Sequence, residues 1–225
     1  MNDAKDRIID AALTHVPFDG WSEVTFRTAI EDANIPNVEA RALFPRGAID
    51  LALAFHMRGD AAMVAALEET DLTALRFRDR VAYAIRKRLD LVEQNKEAVR
   101  RGVTLFSLPL YAAEGARTLW HTSDAIWTAL GDTSDDLNWY TKRATLAGVY
   151  AATVLYWLSD RSHDHTATWS FLDRRIEDVM RFETLKTQAR KNPLLKPFLA
   201  GPEWLAQRIK APNIASRDLP GRWQG

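Results

Sequence analysis

The sequence contains no cysteine among its 225 residues. This absence excludes a thiol nucleophile, a disulfide framework and thiolate metal ligands. The sequence also lacks an excess of one charge, because 30 Lys and Arg balance 30 Asp and Glu, so the composition gives no reason to expect a nucleic acid partner. With 47% hydrophobic and 27% charged residues, the chain is typical of a globular protein that buries a sizeable core.

Catalytic motifs are missing as well. The sequence has no His-Glu-x-x-His, no Glu-x-x-His, no phosphate-binding or dinucleotide-binding glycine loop and no Gly-x-Ser-x-Gly nucleophile motif. His163 and His165 lie in a predicted turn with Asp160 and Asp164, without a helical ligand pair, so we expect an exposed polar turn there. We therefore predict a protein that is not an enzyme, with no catalytic residues, no metal and no cofactor.

The first residues, MNDAKDRIIDAAL, resemble neither a secretory signal peptide nor an Arg/Ser-rich transit peptide. We accordingly predict a bacterial protein in the cytoplasm, peripherally associated with the inner membrane. A presequence that was trimmed before residue 1 is the alternative.

The apolar residues recur with helical spacing throughout, and no alternating strand pattern or internal repeat interrupts them, which predicts an all-α fold. In residues 1–58, a first helix, a second helix at 25–33, a short helix at 37–43 and a long helix reaching Glu69 follow the layout of a helix-turn-helix module. The short helix offers only Arg41 as a cation, and residues 21–60 carry four Arg against six acids, a net charge of 4 − 6 = −2. Because DNA recognition needs cations and hydrogen-bond donors, we expect a degenerate module that binds no nucleic acid.

Residues 59–185 are predicted to form a helical bundle around one stretch, 132–160, which reads DTSDDLNWYTKRATLAGVYAATVLYWLSD. Its hydroxyls and carboxylates suit a helix N-terminus. The run from Ala144 to Leu158 is apolar nearly all round and rises only about 22 Å, so it indicates a buried core helix rather than a membrane span. The charged residues of the helix at 75–94, among them the Arg-Lys-Arg ending at Arg88, are predicted to face solvent.

The beginning of the central helix, Asp-Asp-Leu-Asn-Trp-Tyr-Thr-Lys-Arg, and the later Ser-Asp-Arg-Ser-His-Asp-His segment resemble the lipid-binding accessory family of coenzyme Q (ubiquinone) biosynthesis. The resemblance is strongest over residues 125–180. It implies a tetracycline-repressor-like fold, a homodimer, and a function in which an isoprenoid lipid, a quinone intermediate or a phospholipid is bound and the lipid intermediate is presented to the demethoxyubiquinone hydroxylase. The alternatives are a tetracycline-repressor-type transcriptional regulator with a hydrophobic effector, and an enzyme that acts on quinone precursors.

Two sets of site residues are predicted in the bundle. We call the first set the shoulder; with two aromatic rings and two cations behind an acidic cap, it is expected to be an exposed surface that binds the hydroxylase. Its residues are Asp136, Asn138, Trp139, Tyr140, Lys142 and Arg143. The second set is expected to contact the lipid: Leu119, Trp120, Trp127, Val149, Tyr150, Val154, Trp157 and Trp169.

The C-terminal residues 186–225 are predicted to be a basic amphipathic tail that contacts a membrane. Nine basic residues face three acidic ones over 181–225, a net charge of 9 − 3 = +6. An apolar side that includes a tryptophan, combined with this charge, favours an interfacial helix on anionic lipid, although a helix packed on the protein body is the alternative. The predicted membrane-binding residues are Leu195, Phe198, Leu199, Trp204, Leu205, Arg208 and Ile209.

Overall fold

The computed structural model describes residues 2–191, and within them the side chains of residues 3–181. The helices of this part are α1 (Asn2–Asp19), α2 (Glu23–Asp32), α3 (Asn37–Leu43), α4 (Ala48–Glu68), α5 (Phe77–Asp90), α6 (Lys96–Phe106), α7 (Ala112–Ala129), α8 (Leu137–Ser159) and α9 (Thr166–Lys191). Short 3-10 turns at Glu93–Asn95, Pro109–Tyr111 and His163–His165 precede α6, α7 and α9. No strand occurs between residues 2 and 191, and the all-α prediction is confirmed.

The first three helices form the module predicted from the N-terminal pattern. Ser22 caps α2, because its side-chain oxygen accepts a hydrogen bond from the backbone N–H of Thr25 at 3.2 Å. Phe26 of α2 is fully buried and meets the ring of Phe44, which follows α3, with an edge contact at 6.3 Å. Val24, on the first turn of α2, is half exposed.

Helix α4 joins the module to the bundle. It packs against α2 on one side and against α5 and α7 on the other. Residue 58, where we predict the boundary between the two domains, lies inside this helix. Trp21 of the module also contacts the bundle, because its indole Nε1 donates to the carbonyl oxygen of Ala98 at 3.0 Å.

Helix α8 begins as its sequence predicts: Asp136 occupies the N-cap and accepts a hydrogen bond from the Asn138 N–H at 2.8 Å. The helix packs against α7 and α9 and buries Leu146, Val149 and Trp157, among other residues. The expectation that the helix is enclosed on all sides is wrong for the single chain, since 58% of Leu155 is exposed. An apolar face therefore remains open on α8.

The predicted tail residues from Leu195 to Ile209 lie outside the described residues, so their membrane contact stays a prediction. Between residues 2 and 191, none of the helices combines the length and the apolarity that a membrane span requires.

Candidate functional site

A cavity of about 410 Å³ lies between α4, α5, α6, α7 and α8, and we call it the first cavity. Most of its lining is apolar, contributed largely by α6, α7 and α8. Three residues of the predicted lipid-contacting set line it: Leu119, Tyr150 and Val154. Trp21 also lines it, so the N-terminal module supplies part of the wall. The volume falls within the range of small-molecule pockets, about 300–1,000 Å³.

One part of this cavity is polar because a buried ion pair reaches it. The guanidinium Nε of Arg88 donates to Asp60 at 2.7 Å, and both side chains are almost completely buried. Thr122 donates to the same carboxylate at 3.0 Å, and His121 Nδ1 lies 2.9 Å from it. Burial opposes ionisation of Asp60, but hydrogen bonds from His121 and His56 and the nearby Arg88 charge hold the pKa of this carboxyl well below its usual range.

The sequence prediction placed Arg88 on the solvent side, and this is wrong. Arg88 is buried because Asp60, 28 residues earlier in the chain, supplies its counter-charge. A usable signal was the pair His56 and Asp60, which lie one turn apart on the mostly apolar helix α4. Polar groups at that spacing on a buried face need partners from another helix.

A second cavity of about 250 Å³ lies between α5, α8 and α9. It is lined by Trp127 and Val149 of the predicted lipid-contacting set and by Asn138 and Lys142 of the shoulder. The ring of Trp127 stacks on Phe77 at 5.4 Å, and the Lys142 ammonium lies 5.1 Å from its centroid. The indole N–H of Trp127 is buried without a hydrogen-bond partner. Residues predicted for two separate roles thus meet at one cavity.

The three remaining residues of the predicted lipid-contacting set line neither cavity. Trp157 is fully buried and donates to Glu93 Oε2 at 3.0 Å. Trp169 donates to the carbonyl oxygen of Asp164 at 2.8 Å and lies beneath the Arg86 guanidinium. Trp120 packs against the aromatic residues of the shoulder. These tryptophans pack against other parts of the bundle, and their contact with a lipid stays a prediction.

The cations of the shoulder turn inward, which corrects the expectation of an exposed cationic patch. Arg143 is only 2% exposed, and it bonds Asp124 at 2.5 Å and Asp132 at 3.0 Å. Lys142 donates to Asp132 at 2.7 Å. Burial opposes ionisation of Asp132, but hydrogen bonds from Lys142, Ser134 and Arg143 lower the pKa of this carboxyl to about 2. The arrangement is an internal clamp that fixes the loop before α8 to α7 and α8.

The aromatic residues of the shoulder lie above that clamp. Trp139 covers the Arg143 guanidinium at 4.0 Å and meets the ring of Tyr140 at 4.8 Å. Trp120 of α7 contacts both rings, at 5.7 and 6.2 Å. Trp139 and Tyr140 are half-buried, whereas Asp136 and Asn138 are exposed beside them. The accessible part of the shoulder is therefore a rigid aromatic cluster with a polar edge.

In the short helix α3, the one cation is held by residues of α2. Its cation, Arg41, pairs with Glu23 of α2 and lies 4.5 Å above the Phe26 ring. Val38 on the same helix is 85% exposed. Among the side chains that the structure describes, no cluster of three or more His, Asp or Glu residues has an arrangement that could hold a metal ion.

The COQ9 family model matches residues 112–183, which include α7, α8 and most of α9. A Drosophila melanogaster "Ubiquinone biosynthesis protein COQ9, mitochondrial" is 31% identical over 186 residues, covering 81% of this chain and 57% of the relative. The Xenopus tropicalis protein of the same name is 32% identical over 191 residues, covering 80% and 59%. The chain thus spans less than two thirds of the length of these relatives.

A solved structure agrees in fold. The TetR transcriptional regulator from Nitrosomonas europaea ATCC 19718 superposes with a TM-score of 0.63 at 20% identity, covering 77% of this chain and 95% of that one. The tetracycline-repressor-like fold is confirmed. The prediction of a bacterial protein in the cytoplasm at the inner membrane is contradicted, because both sequence relatives are named mitochondrial, which points to mitochondria. The resemblance predicted from the motif of the central helix is confirmed: this chain is similar to the COQ9 family of ubiquinone biosynthesis proteins.

Proposed function

We propose that this protein is a non-enzymatic accessory factor of ubiquinone biosynthesis that binds an isoprenoid lipid or quinone intermediate. The observation that carries the proposal is the first cavity, whose lining is almost entirely apolar along α6, α7 and α8. Leaving an isoprenoid tail in water costs about 25 cal/mol for each Å² of apolar surface. A protein that encloses part of the tail lowers that cost while the intermediate moves between enzymes.

The second part of the proposal is that the shoulder binds the demethoxyubiquinone hydroxylase. Trp139 and Tyr140 form a rigid aromatic surface that is held from below by Arg143, and aromatic anchors of this kind dominate binding energy at many interfaces. Helix α8 carries both the shoulder and the cavity residues Tyr150 and Val154. A single helix therefore connects the proposed docking surface to the proposed lipid site. We further propose that the protein acts as a homodimer, as its resemblance to the coenzyme Q accessory family implies.

Lipid binding can be tested with a matched pair of substitutions on α7. Ala116 and Ala113 are both exposed, but only Ala116 lines the first cavity. Because a tryptophan at position 116 fills the opening of the cavity, we expect Ala116→Trp to lower the amount of copurifying isoprenoid lipid severalfold, measured by mass spectrometry. Ala113→Trp should leave the lipid content unchanged. Equal lipid content in both variants, with both folded, contradicts the proposal that the first cavity holds the lipid.

A further inference from the structure

The polar residues of the first cavity are not spread evenly over its wall. His56, Arg88 and Tyr150 lie together, and we call these three residues the polar end. The Nη2 of Arg88 donates to the carbonyl oxygen of His56 at 3.0 Å, and Tyr150 lies close to Arg88, Asp60 and Thr122. All three polar-end residues are shielded from solvent, with Arg88 and Tyr150 at 3% exposure.

The opposite part of the cavity is apolar and reaches the surface. Ala112, Ala116 and Leu155 line it and are exposed, together with Ser107 at the end of α6. A ligand that enters here meets small and aliphatic side chains before it reaches the polar end. The cavity of about 410 Å³ is too small for a long polyprenyl chain, so a long tail must continue out of this opening.

The cation of the polar end already has a counter-charge. The guanidinium of Arg88 is paired with Asp60 at 2.7 Å, and that carboxylate is held ionised by its hydrogen bonds. His121, whose pKa is raised by its bond to the same carboxylate, does not line the cavity. A phosphate group buried here would meet a guanidinium that is already paired, and an uncompensated buried charge is costly. An uncharged ligand group with oxygen atoms fits these electrostatics better.

The polar end can nevertheless donate hydrogen bonds. A guanidinium carries five N–H groups, and the bonds from Arg88 to Asp60 and to the His56 carbonyl use Nε and Nη2. Burial raises the pKa of the Tyr150 hydroxyl, so this group is a neutral phenol that can donate or accept. Acceptor oxygens on an uncharged ring are the complementary ligand group.

We infer that the polar end recognises the ring oxygens of a quinone or phenol head group, which enters first, while the isoprenoid tail lies along α6, α7 and α8 towards the opening. This inference rests on the proposed lipid-binding function and adds the orientation of the ligand and the residues that select its head group. Tyr150 is the specificity-determining residue that can be altered with least disturbance, because Tyr150→Phe removes one oxygen atom.

Three probes with the same two-isoprene tail separate the possibilities by calorimetric titration. They are a methoxylated benzoquinone, the benzene derivative without ring oxygens, and the diphosphate ester of the two-isoprene alcohol. The wild-type protein should bind the quinone most tightly. Tyr150→Phe should weaken quinone binding about 2- to 10-fold, the effect of one net hydrogen bond, and leave binding of the benzene derivative unchanged. The quinone carbonyl stretch, recorded by infrared spectroscopy, should shift towards its unbonded frequency in this variant.

Tyr156→Phe is the matched control, since Tyr156 lies on the same helix, half-buried against Phe171, and does not line the cavity. It should bind all three probes as the wild type does. Equal binding of the three probes, or an equal loss for all of them in Tyr150→Phe, overturns the inference while lipid binding stands. If the wild-type protein binds no probe, the proposed function itself fails.

Discussion

Arg88 and Arg143 are both buried, and both are held by carboxylates from outside their own helix. Their surroundings differ. Arg88 meets a carboxylate that is 1% exposed, and its other side reaches the first cavity. Arg143 shares Asp132 with Lys142, bonds the half-exposed Asp124, and is covered by Trp139. The comparison shows that one buried ion pair borders the first cavity, whereas the other holds the loop before α8 beneath the aromatic residues of the shoulder.

The largest effect is expected from removing each arginine in turn. Arg88→Met leaves Asp60 as a buried carboxylate without its cation, and we expect the free energy of unfolding to fall by about 3–5 kcal/mol. Arg143→Met should lower the free energy of unfolding by about 1.5–3 kcal/mol, the range for hydrogen bonds to charged groups. The loss is smaller because Asp132 still pairs with Lys142, and the half-exposed Asp124 remains accessible to water. Urea denaturation measures both values. A larger loss of stability in Arg143→Met than in Arg88→Met would contradict this comparison.

The next effect concerns the aromatic cover of Arg143. An aromatic anchor contributes about 2 kcal/mol to the free energy of binding. Removing two anchors therefore reduces the affinity by far more than 30-fold. We therefore expect the double variant Trp139→Ala with Tyr140→Ala to lose measurable binding to the demethoxyubiquinone hydroxylase in surface plasmon resonance. Tyr156→Ala, which removes a stacked aromatic ring further along α8, is the control and should bind normally. Unchanged affinity in a folded double variant shows that the hydroxylase docks elsewhere.

The smallest effect concerns the clamp, whose contribution to stability should depend on pH. The folded-state pKa of Asp132 is about 2, below the ordinary value of 3.8, so its ionised form stabilises the fold above pH 3.8 and this contribution is lost as the pH falls through 2. The difference corresponds to about 2 kcal/mol at pH 7. We expect Asp132→Asn to lower stability by about this amount at pH 7, and by much less near pH 2.

Asp135 provides the control for this measurement, because it is exposed in the same loop. Asp135→Asn should change the unfolding free energy little at either pH, as determined by denaturation with guanidinium chloride. A loss for Asp132→Asn that is the same at pH 7 and pH 2 contradicts the assignment of the clamp.

The sequence predicted the elements of this fold well where local signals are strong. The short helix α3 occupies the predicted residues, since Pro36 and the Phe44-Pro45 turn limit it on both sides. The sequence also predicts a helix N-terminus among the hydroxyls and carboxylates that precede the long helical pattern of α8, and Asp136 is the residue that caps it. Local chemistry determines both features, so a single sequence is sufficient to find them.

The candidate site was harder to predict because its contacts are between distant residues. Arg88 stands in a run of three cations that reads as a solvated face, and only the pairing with Asp60 on another helix buries it. Arg143 was assigned to the surface for the same reason, although Asp132 and Trp139 enclose it. Leu155 shows the opposite error, since its apolar neighbours indicate burial whereas it lies at an exposed opening. Residue type alone does not tell which partner a side chain finds.

Because of the position of Trp21, the bundle cannot be separated from the N-terminal module without opening the first cavity. This residue precedes α2, packs against Phe55 with tilted rings whose centroids are 5.5 Å apart, and lines the first cavity. A fragment that starts at residue 59 would lack Trp21, Phe55 and His56, so the ligand hydrocarbon would face bulk water where these rings now stand. Such a fragment should retain less lipid than the whole chain under the same wash conditions. The N-terminal module, which carries Trp21, thus forms part of the wall of the first cavity.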